Sequence, residues 1–359
     1  GIGDDNRNLR EENEKGTVGA NARGGVELKR KADASEIYAR GILNSRRYDG
    51  GEERGRDTDD QLFYSGGSWN TERSQFSLDG DYLRQSTAIT EFEDTGDVRS
   101  DERKITRSIR PRFSYSLFED IRLFVGAGYR DVRFPNGDPV SFDEFDVISG
   151  NAGVTYIIDE LNSLTMTGYY QDQEVHKSPD ATESVGGAIR YNRTLNERWR
   201  TFAGFGYRKS NFKTANNTGN IERDSDTGPI YEGGITYEQS EVETFNFSVT
   251  RALEPSVRGN VNDRLTFRAN YSKQLSPRLT GVAEFFWLEN ESVNDDNQSD
   301  NREAWRSNIG FNYRLTEKWS LTSRYRHRYQ KYLDRDNSSG ADSDAILIGI
   351  RFNEQEKRI

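Results

Sequence analysis

Runs of about ten residues in which every second side chain is apolar recur along this chain, and a period of two means extended backbone with one greasy and one polar face. The clearest run sets Ile121, Leu123, Val125, Ala127 and Tyr129 against Arg122, Phe124, Gly126, Gly128 and Arg130. The same period returns at Trp199, Thr201, Ala203, Phe205 and Tyr207, at Leu265, Phe267, Ala269 and Tyr271, and at Trp305, Ser307, Ile309, Phe311 and Tyr313. Each apolar face carries aromatic rings at its ends. An amphipathic ring is most stable at headgroup depth, so Tyr129, Trp199, Tyr207, Tyr271, Trp287, Trp305, Tyr313, Trp319 and Tyr325 form an expected aromatic girdle at the two membrane interfaces. About ten residues at about 3.3 Å rise, tilted about 40°, cover the roughly 25 Å apolar band of an outer membrane.

Composition agrees. Only 32% of the 359 residues are hydrophobic, too few for an ordinary soluble core, yet 18 Tyr, 19 Phe and 5 Trp with only 7 Pro are unlike a disordered chain. A membrane barrel resolves the conflict, because only alternate residues face lipid and the rest face water. Nowhere do about 18 apolar residues run together, which excludes helical membrane spans. The net charge of -10 argues against a nucleic-acid partner, and the lack of Cys suits passage through an oxidising periplasm. No leader is visible at Gly1, so an exported protein is expected here in mature or trimmed form.

Connections alternate in length. Tight turns are expected at Leu117 to Ile121, Leu195 to Trp199, Leu275 to Leu279 and Leu315 to Trp319. Long polar loops are expected at Thr87 to Glu102, Arg133 to Glu144, Gln173 to Thr182, Lys209 to Thr227, Glu289 to Glu303 and Tyr332 to Asp344. Short turns face the periplasm and long loops the cell exterior in such barrels. The repeat of roughly 40 residues also invites a β-propeller, but a blade needs four breaks per repeat and this repeat has two. The predicted fold is therefore an all-β, transmembrane, antiparallel up-and-down β-barrel in the bacterial outer membrane, with one domain over residues 1–352 and a polar periplasmic tail over 353–359. Counting from Thr17 gives about 17 strands, and the even number of bacterial barrels makes about 18 (16–18). Gly1 to Gly3 then ends a first strand whose remainder is lost or lies upstream, Asp4 to Glu14 is the first outer loop, and Ala345 to Phe352 closes the barrel.

Phasing each strand by its aromatics assigns Arg110, Arg112, Arg122, Arg130, Arg268, Arg306, Arg314, Arg324, Arg326, Arg328 and Arg351 to the lumen. A guanidinium stays charged at any relevant pH and presents a planar fork to carboxylate, sulfate or phosphate, so these rows suit an anion pathway. The alternative is that they pair with Asp79, Asp81, Glu232, Glu238 and Glu284, which share the inward phase, and brace the wall. Arg107 falls on the lipid phase and Pro111 interrupts its strand, so a bulge or register shift is expected there.

No catalytic site, metal site or cofactor is expected. The acidic stretch Glu289 to Glu303 matches no calcium-loop spacing and suits a solvated loop beside lipopolysaccharide. Only His176 and His327 are present. His327 has the lipid phase among Tyr325 and Tyr329, with no Ser or Asn on its strand in the spacing of a lipid-cleaving site. His176 lies in a loop near Asp172 and Glu174.

The Asp4 to Asn6 segment after Gly-Ile-Gly, the Leu-Thr-Glu-Lys-Trp turn at Leu315 to Trp319 and the closing Ile-Gly-Ile-Arg-Phe at Ile348 to Phe352 make the whole chain resemble the β-barrel porin 2 family. The resemblance implies a channel, often associated with exopolysaccharide export, that carries an anionic polysaccharide across the outer membrane. It also implies work beside periplasmic export or polysaccharide-synthesis components. A terminal strand ending in an aromatic resembles the signal read by the barrel assembly machinery, with seven residues following Phe352 here. A general or anion-selective diffusion porin, and a structural or adhesive barrel plugged by its own loops, are the competing expectations.

Overall fold

The computed structural model describes residues 2–4, 16–49, 57–87, 90, 102–135, 143–176, 178–215, 221–239, 242–255, 261–292, 301–333 and 340–352. They form one antiparallel 18-stranded sheet. In chain order the strands are β1 (Ile2–Asp4), β2 (Thr17–Ala32), β3 (Ser35–Tyr48), β4 (Thr58–Asn70), β5 (Ser74–Ser86) and β6 (Arg103–Ser116). There follow β7 (Ile121–Arg133), β8 (Phe145–Ile157), β9 (Asn162–Val175), β10 (Ala181–Thr194), β11 (Trp199–Ala215) and β12 (Ile221–Gln239). The last six are β13 (Glu243–Pro255), β14 (Val261–Ser276), β15 (Leu279–Ser292), β16 (Arg302–Arg314), β17 (Trp319–Tyr332) and β18 (Ala341–Phe352).

Each strand pairs with the next, and β1 closes the ring by pairing with β18 through Ile2↔Leu347 and with β2 through Ile2↔Gly19. Pairing around a ring satisfies backbone groups within the sheet, which is the condition for spanning lipid with strands. Below Ile2, among the described residues, β18 pairs only with β17 and β2 only with β3. There β2 is exposed on both faces.

Alternation decides which face is which. Leu123, Val125 and Tyr129 of β7, Phe205 and Tyr207 of β11, and Ile346, Ile348, Ile350 and Phe352 of β18 are exposed on the outer face, where hydrocarbon replaces a protein core. The girdles are built by cross-strand neighbours. At the short-turn end, Trp199 stacks on Tyr237 at 4.5 Å and Trp319 on Phe352 at 4.9 Å. At the other end Phe267 meets Trp287 at 5.1 Å and Trp305 meets Tyr329 at 6.0 Å.

Two of the expected tight turns share one construction. Leu195 N–H donates to Trp199 O at 2.8 Å and Leu315 N–H to Trp319 O at 2.9 Å. Inside each loop a short polar side chain accepts the two free N–H groups: Asn196 Oδ1 takes those of Arg198 and Trp199, and Thr316 Oγ1 those of Lys318 and Trp319. The Leu117 turn shares only the backbone bond, Leu117 N–H to Ile121 O at 2.9 Å, and the turn after Leu275 differs, closing at Ser276↔Leu279 with Ser276 Oγ accepting the N–H groups of Arg278 and Leu279.

Three expectations are corrected. No register shift occurs at Pro111: β5 and β6 keep one register from Ser74↔Tyr115 to Ser86↔Arg103, and β6 and β7 keep theirs on either side, but the β6–β7 ladder skips Arg110 and Pro111 between Ile109↔Tyr129 and Arg112↔Gly126. Arg107 tolerates its outward phase because it sits at the exterior end of β6, pairs with Asp131 at 3.4 Å and lies over the Tyr82 ring. A register shift is found at Gln274/Ser276, beside a turn. Lys209 to Thr227 is mostly strand, since β11 and β12 run on past the girdle as a paired hairpin to Ala215↔Ile221. Backbone pairing needs no lipid, so a polar hairpin can continue into water. Asp4, placed by sequence in the first loop, is the inward-facing end of β1. Residues 5–15, 295–300 and 353–359 lie outside the described set, so the outer-loop and tail assignments there do too.

Candidate conduit on the inner wall

Inward-phase side chains divide by height. Toward the short turns, Arg112, Arg122, Arg314 and Arg351 are exposed, as are Arg268 and Arg324 at mid-height and Arg130 above them. Among the described residues none of these seven forms an ion pair. Arg314 donates to Pro277 O at 2.7 Å and Arg268 lies over the Phe286 ring at 4.4 Å, contacts that leave the charge uncompensated. A recess of about 680 Å³ opens here, bounded by Arg122, Arg190, Arg200 and Phe202. A Cβ on Gly234 would meet the Phe202 ring at 2.5 Å, and Arg190 lies over that ring at 3.9 Å.

The remaining predicted arginines are engaged. Arg110 pairs with Asp81. Arg326 and Arg328 converge on Asp4 at 2.8 and 3.2 Å, and Ser343 Oγ donates to the same carboxylate at 2.7 Å. Arg306 approaches the Phe286 ring at 5.7 Å. Of the acidic partners expected from sequence, Asp81 pairs as foreseen, while Glu232 and Glu238 hold Arg190 at 3.2 Å and Arg200 at 2.7 Å. Asp79 accepts the Tyr38 hydroxyl and Glu284 the Asn308 amide.

Toward the exterior the inner wall is dry. Phe286, Leu288, Ala304 and Ala341 form one buried apolar cluster, and Val132, Phe134, Phe145, Val147 and Val175 another, all with inward phase. Leu288 and Ala304 have 0% exposure. Buried Asn290, Gln173 and Ser343 share this layer, and Ser184 and Ser210 bond one another at 2.8 Å. Sequence reasoning missed the layer, although its signal is present. Where alternation fails and apolar residues occupy both phases, as in Phe285-Phe286-Trp287-Leu288, both faces of the sheet are dry.

Both histidines carry the outward phase at the exterior end. His327 Nδ1 lies 2.8 Å from Asp344 Oδ1 and its ring stacks on Trp305 at 4.7 Å. Register sets Ser307 of β16 directly opposite His327, a partner that inspection along a single strand could not find. No hydrogen bond joins that pair. His176 follows β9, with Nε2 3.1 Å from Asp146. Its neighbours Asp131 and Asp146 are already balanced by Arg107 and Arg133.

No family model matches the chain, and no curated protein matches it in sequence. Solved structures do. The chain is similar to the copper transporter OprC at 12% identity and a TM-score of 0.53, covering 99% of this chain and 66% of that one. It is similar to the apoprotein form of the FrpB iron transporter from Neisseria meningitidis at 12% identity and a TM-score of 0.50, covering 92% and 61%. This chain thus spans roughly two thirds of the length of those proteins. At such identity the likeness concerns fold, and it joins the closed sheet, lipid-facing apolar band and paired girdles in one conclusion: the chain is an integral β-barrel of the outer membrane.

Proposed function

We propose that the barrel is a porin-like channel conducting an anionic solute across the outer membrane, and that this solute is the acidic exopolysaccharide that the resemblance to the β-barrel porin 2 family implies. The supporting observation is the set of seven exposed inward arginines that, among the described residues, have no carboxylate partner. A low-dielectric wall focuses their field into the lumen, concentrating counter-anions and repelling cations. The Arg190–Phe202 stack and the amides around it offer hydrogen bonds and a flat face of the kind a sugar chain can slide along. Periplasmic export or synthesis components would deliver the polymer to the short-turn end.

A second reading is favoured by one observation, the dry exterior half of the inner wall: a barrel closed toward the cell exterior that serves as a scaffold or adhesin. Planar-bilayer recording separates the two. Conduction is expected, with a reversal potential in a salt gradient of the sign for anions. Changing Arg112, Arg122, Arg324 and Arg351 together to Gln should move that potential toward zero. Absence of conductance supports the closed scaffold, and cation preference in the native barrel removes the anion pathway. Unselective flow that ignores the four substitutions indicates a general diffusion porin.

A further inference from the structure

The wall is not equally knitted everywhere. The ladder between β12 and β13 covers only Gln239↔Glu243 to Tyr231↔Arg251 and stops. Both strands continue, β12 to Ile221 and β13 to Pro255, so the positions that would extend the register, Thr227 to Ile230 facing Ala252 to Pro255, are unpaired. Pro229 stands just above the last pair, and proline has no N–H to give a ladder. Its cross-strand partner on β11 is Tyr207 of the exterior girdle. From Tyr237 in the short-turn girdle to Pro229 is eight residues along β12, or about 20 Å of height at usual rise and tilt. The gap thus opens at the level of the outer leaflet's headgroups.

Side chains close it. Arg208 of β11 points inward, crosses β12 over Gly228 and is almost completely buried; a Cβ on Gly228 would lie 3.3 Å from its Nη2. Its guanidinium donates to Asp226 at 2.8 Å and to Asp263 of β14 at 3.0 Å. Asp263 carries the outward phase, opposite Leu253 and Glu291. An inward arginine reaches it because β12 and β13 have parted. From outside, Arg251 grips the same carboxylate through Nε at 3.0 Å and Nη2 at 3.1 Å. One carboxylate therefore ties a lumen-side cation to a lipid-side cation through the wall.

We infer that this seam is a lateral portal between the lumen and the outer leaflet, latched by Arg208, Asp263 and Arg251. Four missing ladder positions make it the weakest line among the long strand pairs, and charge-assisted bonds can exchange partners where backbone bonds cannot. The passenger is an amphiphile with a phosphate or carboxylate head: the head competes with Asp263 for the two guanidiniums, and Tyr231, Pro229 and Leu253 flank the outside with apolar surface.

The chain has no cysteine, so single thiols report cleanly. In vesicles, Ala252→Cys, inward on β13, should react slowly with a lipid-anchored maleimide. Adding Asp263→Asn should speed that reaction by at least about tenfold, as loss of a charge-assisted latch implies. Dodecyl phosphate should accelerate it on the native latch, whereas inorganic phosphate or dodecyl maltoside should not. Oxidising the Ile230→Cys, Ala252→Cys pair to a disulfide should cancel the amphiphile effect on lipid-anchored maleimide labelling of Glu254→Cys, which also faces inward at the gap. Heat-modifiable gel mobility verifies folding; should Asp263→Asn fail to fold, Arg208→Lys and the dodecyl phosphate arm carry the same test. Labelling unchanged by both latch substitution and amphiphile, in folded barrels, would make the network a static brace and overturn the portal.

Discussion

The two halves of the inner wall use the same backbone and the same alternation for opposite ends. Near the short turns, inward positions hold solvated arginines with open space in front of them. Near the exterior, inward positions hold Phe286, Leu288, Val132 and Val147, sealed from water on a face that the barrel architecture otherwise leaves wet. The difference teaches that hydration inside a barrel is set locally. A strand can face lipid outside and a dry interior inside over one segment, then water over the next. Charge is handled accordingly: among the described residues no carboxylate pairs with the exposed Arg351, whereas the buried Arg328 shares Asp4 with Arg326.

The largest predicted effect breaks this contrast directly. Leu288→Lys puts an ammonium into a position with 0% exposure beside Ala304 and Phe286. Arg302 and Arg306 share the inward face of β16 one step to either side of Ala304, so the new charge is buried among like charges and should destabilise the barrel by at least about 3 kcal/mol in urea unfolding from lipid. Thr280→Lys makes the same change on the same strand and face near the short turn, and should shift stability by no more than about 0.5 kcal/mol. Equal effects at the two sites would show that the wet and dry halves are not distinct.

A smaller effect tests how each half neutralises arginine. Asp4→Asn takes a counter-ion from Arg328, whose side chain is only 6% exposed, and should cost about 3 kcal/mol, because a buried cation that loses carboxylate charge cannot recover it from water. Asp81→Asn removes the partner of Arg110, whose side chain is half exposed and can turn to water. Its cost should stay below about 1 kcal/mol. Urea unfolding of the two variants side by side reads the difference, and a ratio near one would place both arginines in the same environment.

How much of this was legible in the residues follows from what alternation encodes. Phase is local, so the outward rings of β7, β11 and β16 and the inward placement of the arginines could be read from a single strand. Turn chemistry is local too, which is why Leu195 to Trp199 and Leu315 to Trp319 fell where expected. Pairing distance is not local. That Asp4 meets Arg326 and Arg328 depends on the first and last strands closing the ring, more than 320 residues apart. The exterior reach of β11 and β12 was hidden because polar strands outside the membrane carry no apolar period. Arg208 reaching Asp263 across a parted seam involves four strands at once, β11 to β14, and no single run of sequence records it.

The smallest effect concerns charge at the wet end, where hydrogen bonds rather than burial set ionisation. Asp159, in the turn between β8 and β9, is held below the usual carboxylate range first by the Asn162 amide and then by the Leu161 N–H. Both donors favour the charged form, so the folded pKa lies below the unfolded one. The stabilisation is therefore complete above the unfolded pKa, near 4 for an ordinary aspartate, and fades as pH falls through the lower folded value. Carbon-13 titration of the Asp159 carboxyl in nanodiscs should give a midpoint below that of a free aspartate. Asn162→Ala should return most of that shift while leaving global unfolding unaffected, since an exposed turn has water as a substitute partner. A midpoint that ignores Asn162→Ala would mean that the Leu161 N–H alone holds the charge, and the two-donor account of the turn would fall.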